Sequence, residues 1–310
     1  MILSVCSDKG SPGVSTLCTT LGTVWPGERA VVEMDPSGGD LAFRLRTAGT
    51  ASRLSPSPSV LSLAAGARSG VPAQSLPQFG QPCSLGFAVV PGALTAEAYA
   101  PMARLWPQLA AICGQWQGTA IADLGRLQPG NPAITIARAS TAVLLVARPT
   151  LEGLYHLRDR VNELSGMVGD ANRERNPLAV VVVAPSRDQS RATDEVKRML
   201  DAAGSPVPMA GFLAHDPKGA AALWDGVPGK KLEKSALLAS TRTLTQTLLS
   251  WWPELQGAAS GQAASGQVAP GQVAPGQATP EQATSARQPG AVPADAPPAD
   301  RPTVQQASPA

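Results

Sequence analysis

The chain has 310 residues, of which 43% are hydrophobic, and its 25 basic and 23 acidic residues give a net charge of +2. This composition allows a sizeable core, and the charge balance gives no strong signal for nucleic acid or a membrane surface. The chain has no uninterrupted apolar stretch of about 20 residues, so no membrane-spanning helix is predicted. The early charged pair Asp8 and Lys9 argues against a signal peptide.

Short apolar runs alternate with helical patterns along the first 252 residues. Several runs are continuous and β-branched, as in strands buried on both faces. The predicted strands are Ile2–Cys6, Arg29–Met34, Gly86–Val90, Thr119–Asp123, Ala142–Ala147, Leu178–Ala184 and Val207–Leu213. The predicted helices are Ser15–Val24, Val60–Arg68, Ala96–Cys113, Leu151–Leu164, Ala192–Ala203 and Ser235–Trp252. This alternation predicts an α/β fold with a doubly wound, mainly parallel sheet, whose ligands bind at the carboxyl ends of the strands.

Three segments carry further predictions. Thr47–Pro82 is rich in Ser, Pro, Ala and Gly, so we expect it to be loop apart from its one short helix. The mixed charges of the helix Leu151–Leu164 are typical of a solvated face. The last helix, Ser235–Trp252, has apolar residues at helical spacing but only one basic residue, which favours packing on the core over binding to a membrane surface.

The composition changes at Pro253. An imperfect five-residue repeat runs from Gly261 to Pro280, with few charges and no aromatic residue. Such a segment buries too little apolar surface to offset its ordering entropy, so residues 253–310 are predicted to be a disordered tail rich in Pro, Ala, Gln and Gly. The tail is either a low-complexity appendage or a tether that docks a partner, and the sequence leaves both open.

The four cysteines indicate a reduced, cytoplasmic protein. They are scattered, none has C-x-x-C spacing, and the chain has only two histidines, so we expect no zinc site. Three of the four lie in apolar runs, which is typical of reduced core cysteines. The four cysteines are Cys6, Cys18, Cys83 and Cys113.

The turn after the first predicted strand is the most informative motif. From Ser7 to Thr16 it reads Ser-Asp-Lys-Gly-Ser-Pro-Gly-Val-Ser-Thr, and a predicted helix follows. A strand, a glycine-containing turn and a helix that starts on hydroxyl residues form the layout of a phosphate-binding loop. In the general motif a lysine directly precedes the hydroxyl residue, but here that position is Val14. The sequence therefore predicts a nucleotide-binding fold that lacks its key cation.

Acidic residues near the ends of two other predicted strands complete the candidate site. Asp35 follows the second strand, and Asp123 ends the strand that begins at Thr119. Mg²⁺ on a phosphate takes a hydroxyl group, one or two carboxylates and waters, so Ser15, Asp35 and Asp123 are candidate ligands. An aspartate at a strand end is most often a cap or turn residue, and only the combination of the three segments is specific.

These motifs resemble those of the ParA/MinD family of P-loop ATPases, whose deviant Walker A loop begins with a second lysine. Lys9 matches that signature lysine, Glu33–Asp40 resembles the family's D-x-D-P-x-G-x segment, and Ala122–Gly125 resembles the end of its Walker B strand. The resemblance implies binding of ATP and Mg²⁺, with Asp35 needed for hydrolysis and Lys9 reaching across a homodimer to the partner's phosphates. It implies that the nucleotide is bound by Lys9, Gly10, Ser11, Gly13, Val14, Ser15 and Thr16.

Four positions depart from the family pattern. Val14 replaces the phosphate-binding lysine, Pro12 removes one N–H donor from the loop, Glu33 stands where an aspartate is usual, and Pro185 where an asparagine often reads the base. A lost charge-assisted contact costs about 1.5–3 kcal/mol, which is roughly 10- to 150-fold in binding. We therefore expect ATP binding to be weak or absent and hydrolysis to be slow or absent.

The resemblance implies a protein that positions or assembles a cellular machine, either a pilus or secretion apparatus or a partitioning chromosome, with a protein partner from that system. A degenerate loop that keeps its first lysine resembles the pilus-localising, TadZ/CpaE-like branch of the family. Two alternatives stay open at this point. The chain could be an active ATP-dependent DNA-partitioning ATPase, or an interaction module whose loop only makes a turn and binds no nucleotide.

Overall fold

The computed structural model describes residues 1–10, 12–169 and 175–256, and the strands of this part form one eight-stranded sheet. The strands are β1 Ile2–Ser7, β2 Arg29–Glu33, β3 Gln81–Pro82, β4 Ala88–Val90, β5 Thr119–Arg126, β6 Ala142–Ala147, β7 Leu178–Ala184 and β8 Met209–Ala214. Their order is β3-β4-β2-β5-β1-β6-β7-β8, and every neighbouring pair is parallel except β3 with β4. The seven predicted strands and the doubly wound, mainly parallel sheet are thus confirmed, and β3 was not predicted.

The helices cover both faces of the sheet. They are α1 Val14–Val24, α2 Leu41–Arg44, α3 Val60–Arg68, α4 Trp106–Gln115, α5 Ile134–Ala139, α6 Leu151–Val168, α7 Gln189–Ala202, α8 Pro217–Asp225, α9 Lys230–Glu233 and α10 Ala236–Trp251. Four helices were not predicted from the sequence, each nine residues or shorter: α2, α5, α8 and α9. Short helices give little periodic signal because they span at most two or three turns.

The predicted helix Ala96–Cys113 is two elements in the structure. A 3₁₀ helix spans Ala96–Met102 and contains Pro101, and α4 begins at Trp106 with Pro107 in its first turn. Proline has no N–H to donate within an α-helix, but it is tolerated in the first turn, where that N–H is unpaired anyway. The break between the two elements therefore follows from the two prolines.

The segment Thr47–Pro82 is more regular than predicted. It contains α3 as expected, but also a 3₁₀ helix at Ala73–Phe79 and the edge strand β3. The Gln81 side chain helps to hold this segment, accepting a hydrogen bond from the Ser55 N–H at 2.8 Å and donating to the carbonyls of Ser55 and Pro58.

Two apolar cores lie on the two faces of the sheet. One packs α3 to α7 against the sheet, and the other packs α1, α8, α9 and α10 against it. Alternation along the strands divides the side chains, so that Ile2 and Cys6 of β1 belong to the first core while Leu3 and Val5 belong to the second. All four cysteines are free and buried, as predicted.

The last helix packs on the core, as predicted. Leu237, Leu244 and Leu248 are buried in the core that α10 shares with α1. Packing continues beyond Trp252, because Leu255 is buried and its carbonyl accepts a hydrogen bond of 2.6 Å from the Thr119 hydroxyl. The prediction of a disordered tail from residue 253 is therefore wrong for Pro253–Gln256, which form a packed 3₁₀ helix, and residues 257–310 lie outside the described residues. In the part of the chain that is described, no helix is both long and apolar enough to cross a membrane.

Candidate functional site

The loop between β1 and α1 lies at the centre of the sheet, at the carboxyl end of β1 between β5 and β6. Gly10 and Gly13 have φ of +76° and +111°, a region that strongly favours glycine. Helix α1 starts at Val14 without a side-chain cap, so the N–H groups of its first turn have no partner within the helix and are free for an anion. Ser11, a predicted nucleotide-binding residue, lies outside the described residues.

Val14 packs into the protein instead of pointing freely into solvent. Its side chain is 6% exposed and belongs to the core on the α1 face. The same residue lines the pocket in front of the α1 N-terminus. An apolar side chain at this position contributes packing but no charge to the pocket.

The loop separates two pockets. The smaller, of about 200 Å³, is lined by the start of α1, by Asp35 and by two arginines, Arg44 and Arg126. The larger, of about 360 Å³, lies between the loop, the end of β6 and the start of α6, and Lys9 lines it. Gly10, Gly13, Val14, Ser15 and Thr16 line the smaller pocket. Lys9 is thus not among the residues that line the smaller pocket. Neither arginine was predicted from the sequence as a site residue.

Asp123 supplies an unpartnered carboxylate oxygen at the base of the site. The residue is 1% exposed, its Oδ1 accepts a hydrogen bond from the Gly125 N–H at 3.1 Å, and its Oδ2 is buried with no hydrogen-bond partner among the described residues. Burial raises the pKa of Asp123 to about 6, the Asp35 charge adds to the rise, and the adjacent Ser15 side chain opposes it. A buried, unsatisfied carboxylate oxygen is costly unless a cation or a water completes it.

The three predicted metal ligands are compatible with Mg²⁺. The structure brings Ser15 and Asp123 together and places Asp35 close enough to affect the pKa of Asp123. Within the described ranges, no group of three or more His, Cys, Asp and Glu side chains could hold a metal ion alone. Mg²⁺ at this position would therefore need phosphate oxygens and waters as further ligands, which is its usual coordination in nucleotide sites.

Asp35 approaches the end of β5 closely. Its Oδ1 accepts a hydrogen bond from the Ser37 N–H at 2.8 Å, and a Cβ atom at Gly125 would lie 1.8 Å from its Oδ2. Only glycine at position 125 leaves room for this carboxylate, and the φ of +57° at Gly125 also suits glycine. Burial raises the pKa of Asp35, while the Ser37 hydrogen bonds and the Arg126 charge lower it.

Glu33 organises the loop that follows β2. It is buried, its Oε1 accepts hydrogen bonds from the N–H groups of Asp40 and Leu41 at 2.8 and 3.1 Å, and its Oε2 accepts one from Gly92 at 2.8 Å. Burial raises the pKa of Glu33 to about 7, Asp123 adds to the rise, and the backbone donors oppose it. The extra methylene of glutamate, compared with the usual aspartate, lets one carboxylate hold both α2 and the end of β4.

The loop is also tied to helix α6. Asp8 Oδ1 accepts a hydrogen bond from Arg160 Nε at 2.9 Å, and Asp8 Oδ2 lies 3.7 Å from His156 Nδ1. The prediction of a solvated face on this helix is wrong for Arg160, because its side chain is mostly buried and pairs with Asp8 and Glu163. Asp8 and Arg160 are 152 residues apart, so no sequence spacing signals their contact.

Structural comparison shows which known proteins share this fold. A ParA family ATPase from Chlorobium tepidum TLS is 16% identical, with a TM-score of 0.62 over 79% of this chain and 98% of that chain. The cell division ATPase MinD of Pyrococcus furiosus is 18% identical, with a TM-score of 0.59 over 81% and 98%. The septum site-determining protein MinD of Pyrococcus horikoshii OT3, solved as a complex with Mg-ADP, is 17% identical, with a TM-score of 0.56 over 80% and 95%.

At these identities the likeness establishes the fold. The chain has the ParA/MinD-like fold that the loop and strand-end motifs led us to expect. No protein-family model and no curated protein matches the sequence itself.

Proposed function

We propose that this chain, with its ParA/MinD-like fold, is a nucleotide-binding protein that positions or assembles a cellular machine. The observation that carries the proposal is the unpartnered Oδ2 of Asp123, buried beside Ser15 at the start of α1. The fold alone would not require an unsatisfied carboxylate there, whereas a Mg²⁺-bound phosphate would complete it.

In this proposal the nucleotide phosphates lie against the first turn of α1. Ser15 and Thr16 of that turn line the smaller pocket, so their N–H and hydroxyl groups would be the donors to the phosphates. Ser15, Asp35 and Asp123 would hold Mg²⁺, which neutralises phosphate charge when bound. The pocket volume of about 200 Å³ is below the roughly 300 Å³ that usually encloses a small ligand, so it suits phosphate groups while the base lies outside it.

Hydrolysis is very slow or absent in this proposal. Val14 brings no charge to stabilise phosphoryl transfer, and the only lysine of the loop, Lys9, lines the other pocket. Asp35 would orient the attacking water. Lys9 would act in a homodimer that forms through the nucleotide face, where it would reach the phosphates of the partner.

The partner would be a protein of a pilus, secretion or partitioning system. The structural neighbours, which include a ParA family ATPase and a cell division ATPase, support a role of this kind. The retained Lys9 beside a degenerate loop favours the pilus-localising branch. The four free, buried cysteines support a cytoplasmic location.

The test is binding of a fluorescent ATP analogue to the full chain, with and without Mg²⁺. We expect weak binding that Mg²⁺ strengthens and that Asp123→Asn makes insensitive to Mg²⁺. Glu254→Gln, at an exposed residue of the 3₁₀ helix Pro253–Gln256, is a control for loss of a carboxylate elsewhere. Absence of binding of ATP, ADP and their Mg²⁺ complexes would overturn the proposal and leave the interaction module that binds no nucleotide.

A further inference from the structure

The smaller pocket contains positive charge that does not come from its loop. Among the described residues that line it, Arg44 and Arg126 are the only cationic ones. We propose that these two arginines supply the phosphate-binding charge that the missing lysine supplies in the general motif. This inference rests on the proposed function, because it assigns residues to the binding of that same nucleotide.

Arg44 is positioned by the carboxylate of Glu33. It is the last residue of the four-residue helix α2, and Glu33 accepts hydrogen bonds from the N–H groups of Asp40 and Leu41 at the start of this helix. The guanidinium of Arg44 lies over the Trp224 ring, 5.2 Å from its centroid. The aromatic ring and the braced helix thus hold a long side chain at the border of the pocket, which reduces the entropy lost on binding.

Most hydrogen-bond donors of the Arg44 guanidinium have no partner among the described residues. One nitrogen, Nη2, donates to Asp40 Oδ2 at 2.9 Å, and a guanidinium has five N–H donors in all. The side chains of Arg44 and Asp40 are 44% and 68% exposed, so this surface ion pair contributes little and can exchange for a phosphate at small cost. The Arg44 charge also reaches the site itself, since it lowers the pKa of Asp123.

Arg126 comes from a different element. It is the last residue of β5, directly after Gly125, and its side chain is exposed at the rim of the pocket. Among the described residues its side chain has no hydrogen-bond or ion-pair partner within contact distance, although its charge lowers the pKa of Asp35. Its donors are therefore available to an anion.

The charges of the pocket show why both arginines are needed. Asp35 and Asp123 place two carboxylates beside the position of the phosphates, and without the arginines they would repel a polyphosphate. Guanidinium groups bind phosphate oxygens in bidentate geometry, and such charge-assisted bonds are stronger than neutral ones. Arg44 and Arg126 oppose the charge of the two carboxylates, so removal of either should weaken the attraction of a polyphosphate to the pocket.

The test is calorimetric titration of the full chain with MgATP and with magnesium tripolyphosphate, which lacks the nucleoside. We expect Arg44→Gln and Arg126→Gln each to weaken the binding of both ligands about 10-fold or more. Arg191→Gln, which removes an exposed arginine of α7 outside the pocket, should leave binding unchanged. Val14→Lys should restore binding to the Arg44→Gln variant, because it returns a cation to the pocket.

A variant with the opposite expected effect on affinity separates a phosphate-binding role of Arg44 from a purely structural one. Asp40→Asn releases Arg44 from its ion pair without removing the arginine, so it should tighten binding a few-fold. This variant also tests the role of Arg44 if Arg44→Gln proves unstable. Unchanged or weaker binding by Asp40→Asn, or wild-type affinity in both Arg→Gln variants, would overturn the inference while leaving the proposed function intact. Failure of the wild-type chain to bind either ligand would overturn both.

Discussion

At the residue scale, Val14 determines how much of the phosphate-binding chemistry the loop retains. Its side chain belongs to the core on the α1 face and also lines the smaller pocket. The position therefore borders both environments, and a lysine there could keep its stem in the apolar contact and extend its ammonium group into the pocket.

We expect Val14→Lys to raise the affinity for MgATP by roughly 10-fold or more, because it adds a charge-assisted contact to the β- and γ-phosphates. Calorimetric titration of both forms measures the difference, and a thermal melt checks that the fold survives. Micromolar binding by the wild-type chain that Val14→Lys does not improve would show that Val14 is not the defect.

Variants of Lys9 and Asp35 should affect self-association and hydrolysis separately. Because Lys9 lines the pocket on the α6 side of the loop, we expect Lys9→Ala to abolish nucleotide-dependent self-association. Asp35→Ala should retain binding and lose any residual hydrolysis. Sedimentation velocity with and without MgATP measures association, and phosphate release measures hydrolysis. Self-association of Lys9→Ala at the wild-type level would contradict the role carried over from the family.

The buried carboxylates predict how stability depends on pH. Burial raises the pKa of Glu33 to about 7 and that of Asp123 to about 6, so the folded state binds more protons than the unfolded state between about pH 4 and 7. Stability contributed by both groups is therefore present at low pH and is lost as the pH rises through 6 and 7.

We expect the free energy of unfolding in urea, without nucleotide, to fall between pH 4 and pH 8, by up to about 3 kcal/mol for each group. Asp123→Asn should reduce this fall, since it removes one of the two titrating groups. MgATP should offset the fall, because a bound cation favours the ionised carboxylate. A wild-type protein that becomes more stable between pH 4 and pH 8 would contradict the assignment.

At the element scale, helix α6 holds the phosphate loop through the ion pair of Arg160 and Asp8. The loop is thereby connected to an element that also lines the larger pocket. A partner that shifts α6 would move Asp8, which lies six residues before the start of α1. The contact is a physical route by which partner binding and nucleotide binding could affect each other.

We expect a double-mutant cycle of Asp8→Asn and Arg160→Gln to give a coupling energy of about 1–3 kcal/mol, because the pair is largely buried. Arg158→Gln, which breaks the exposed pair of Arg158 with Asp159, should cost less than about 1 kcal/mol. Urea unfolding of the variants provides both values. A coupling energy near zero for Asp8 and Arg160 would show that the loop is not held through this pair.

At the scale of the whole molecule, the end of the packed domain can be located by truncation. We expect deletion of Gly257–Ala310 to leave the melting temperature unchanged and to weaken association with a cellular partner. Deletion from Pro253 onward also removes the buried Leu255 and its bond to Thr119, so it should cost about 2 kcal/mol or more. A melting temperature lowered by several degrees in the shorter deletion would show that the tail packs on the domain.

The sequence by itself determined the strand pattern, the phosphate-type loop, its missing lysine and the acidic residues at the strand ends. These features are local: a continuous run such as that of β7 is buried along its whole length, and Gly13 marks a turn wherever the chain goes next. Local patterns of this kind follow from backbone sterics and the hydrophobic effect, which act on neighbouring residues.

The tertiary structure alone decided which charges meet. It placed Glu33 on the N–H groups of α2, joined Asp8 to Arg160, and brought Arg44 and Arg126 to one pocket while Lys9 lined another. Apart from the contact of Glu33 with α2, which spans seven or eight residues, these contacts connect segments far apart in the chain. They depend on how the parallel strands bring their carboxyl ends to one edge of the sheet. Electrostatic interactions depend on distance and burial in space, and neither can be read from spacing along a sequence.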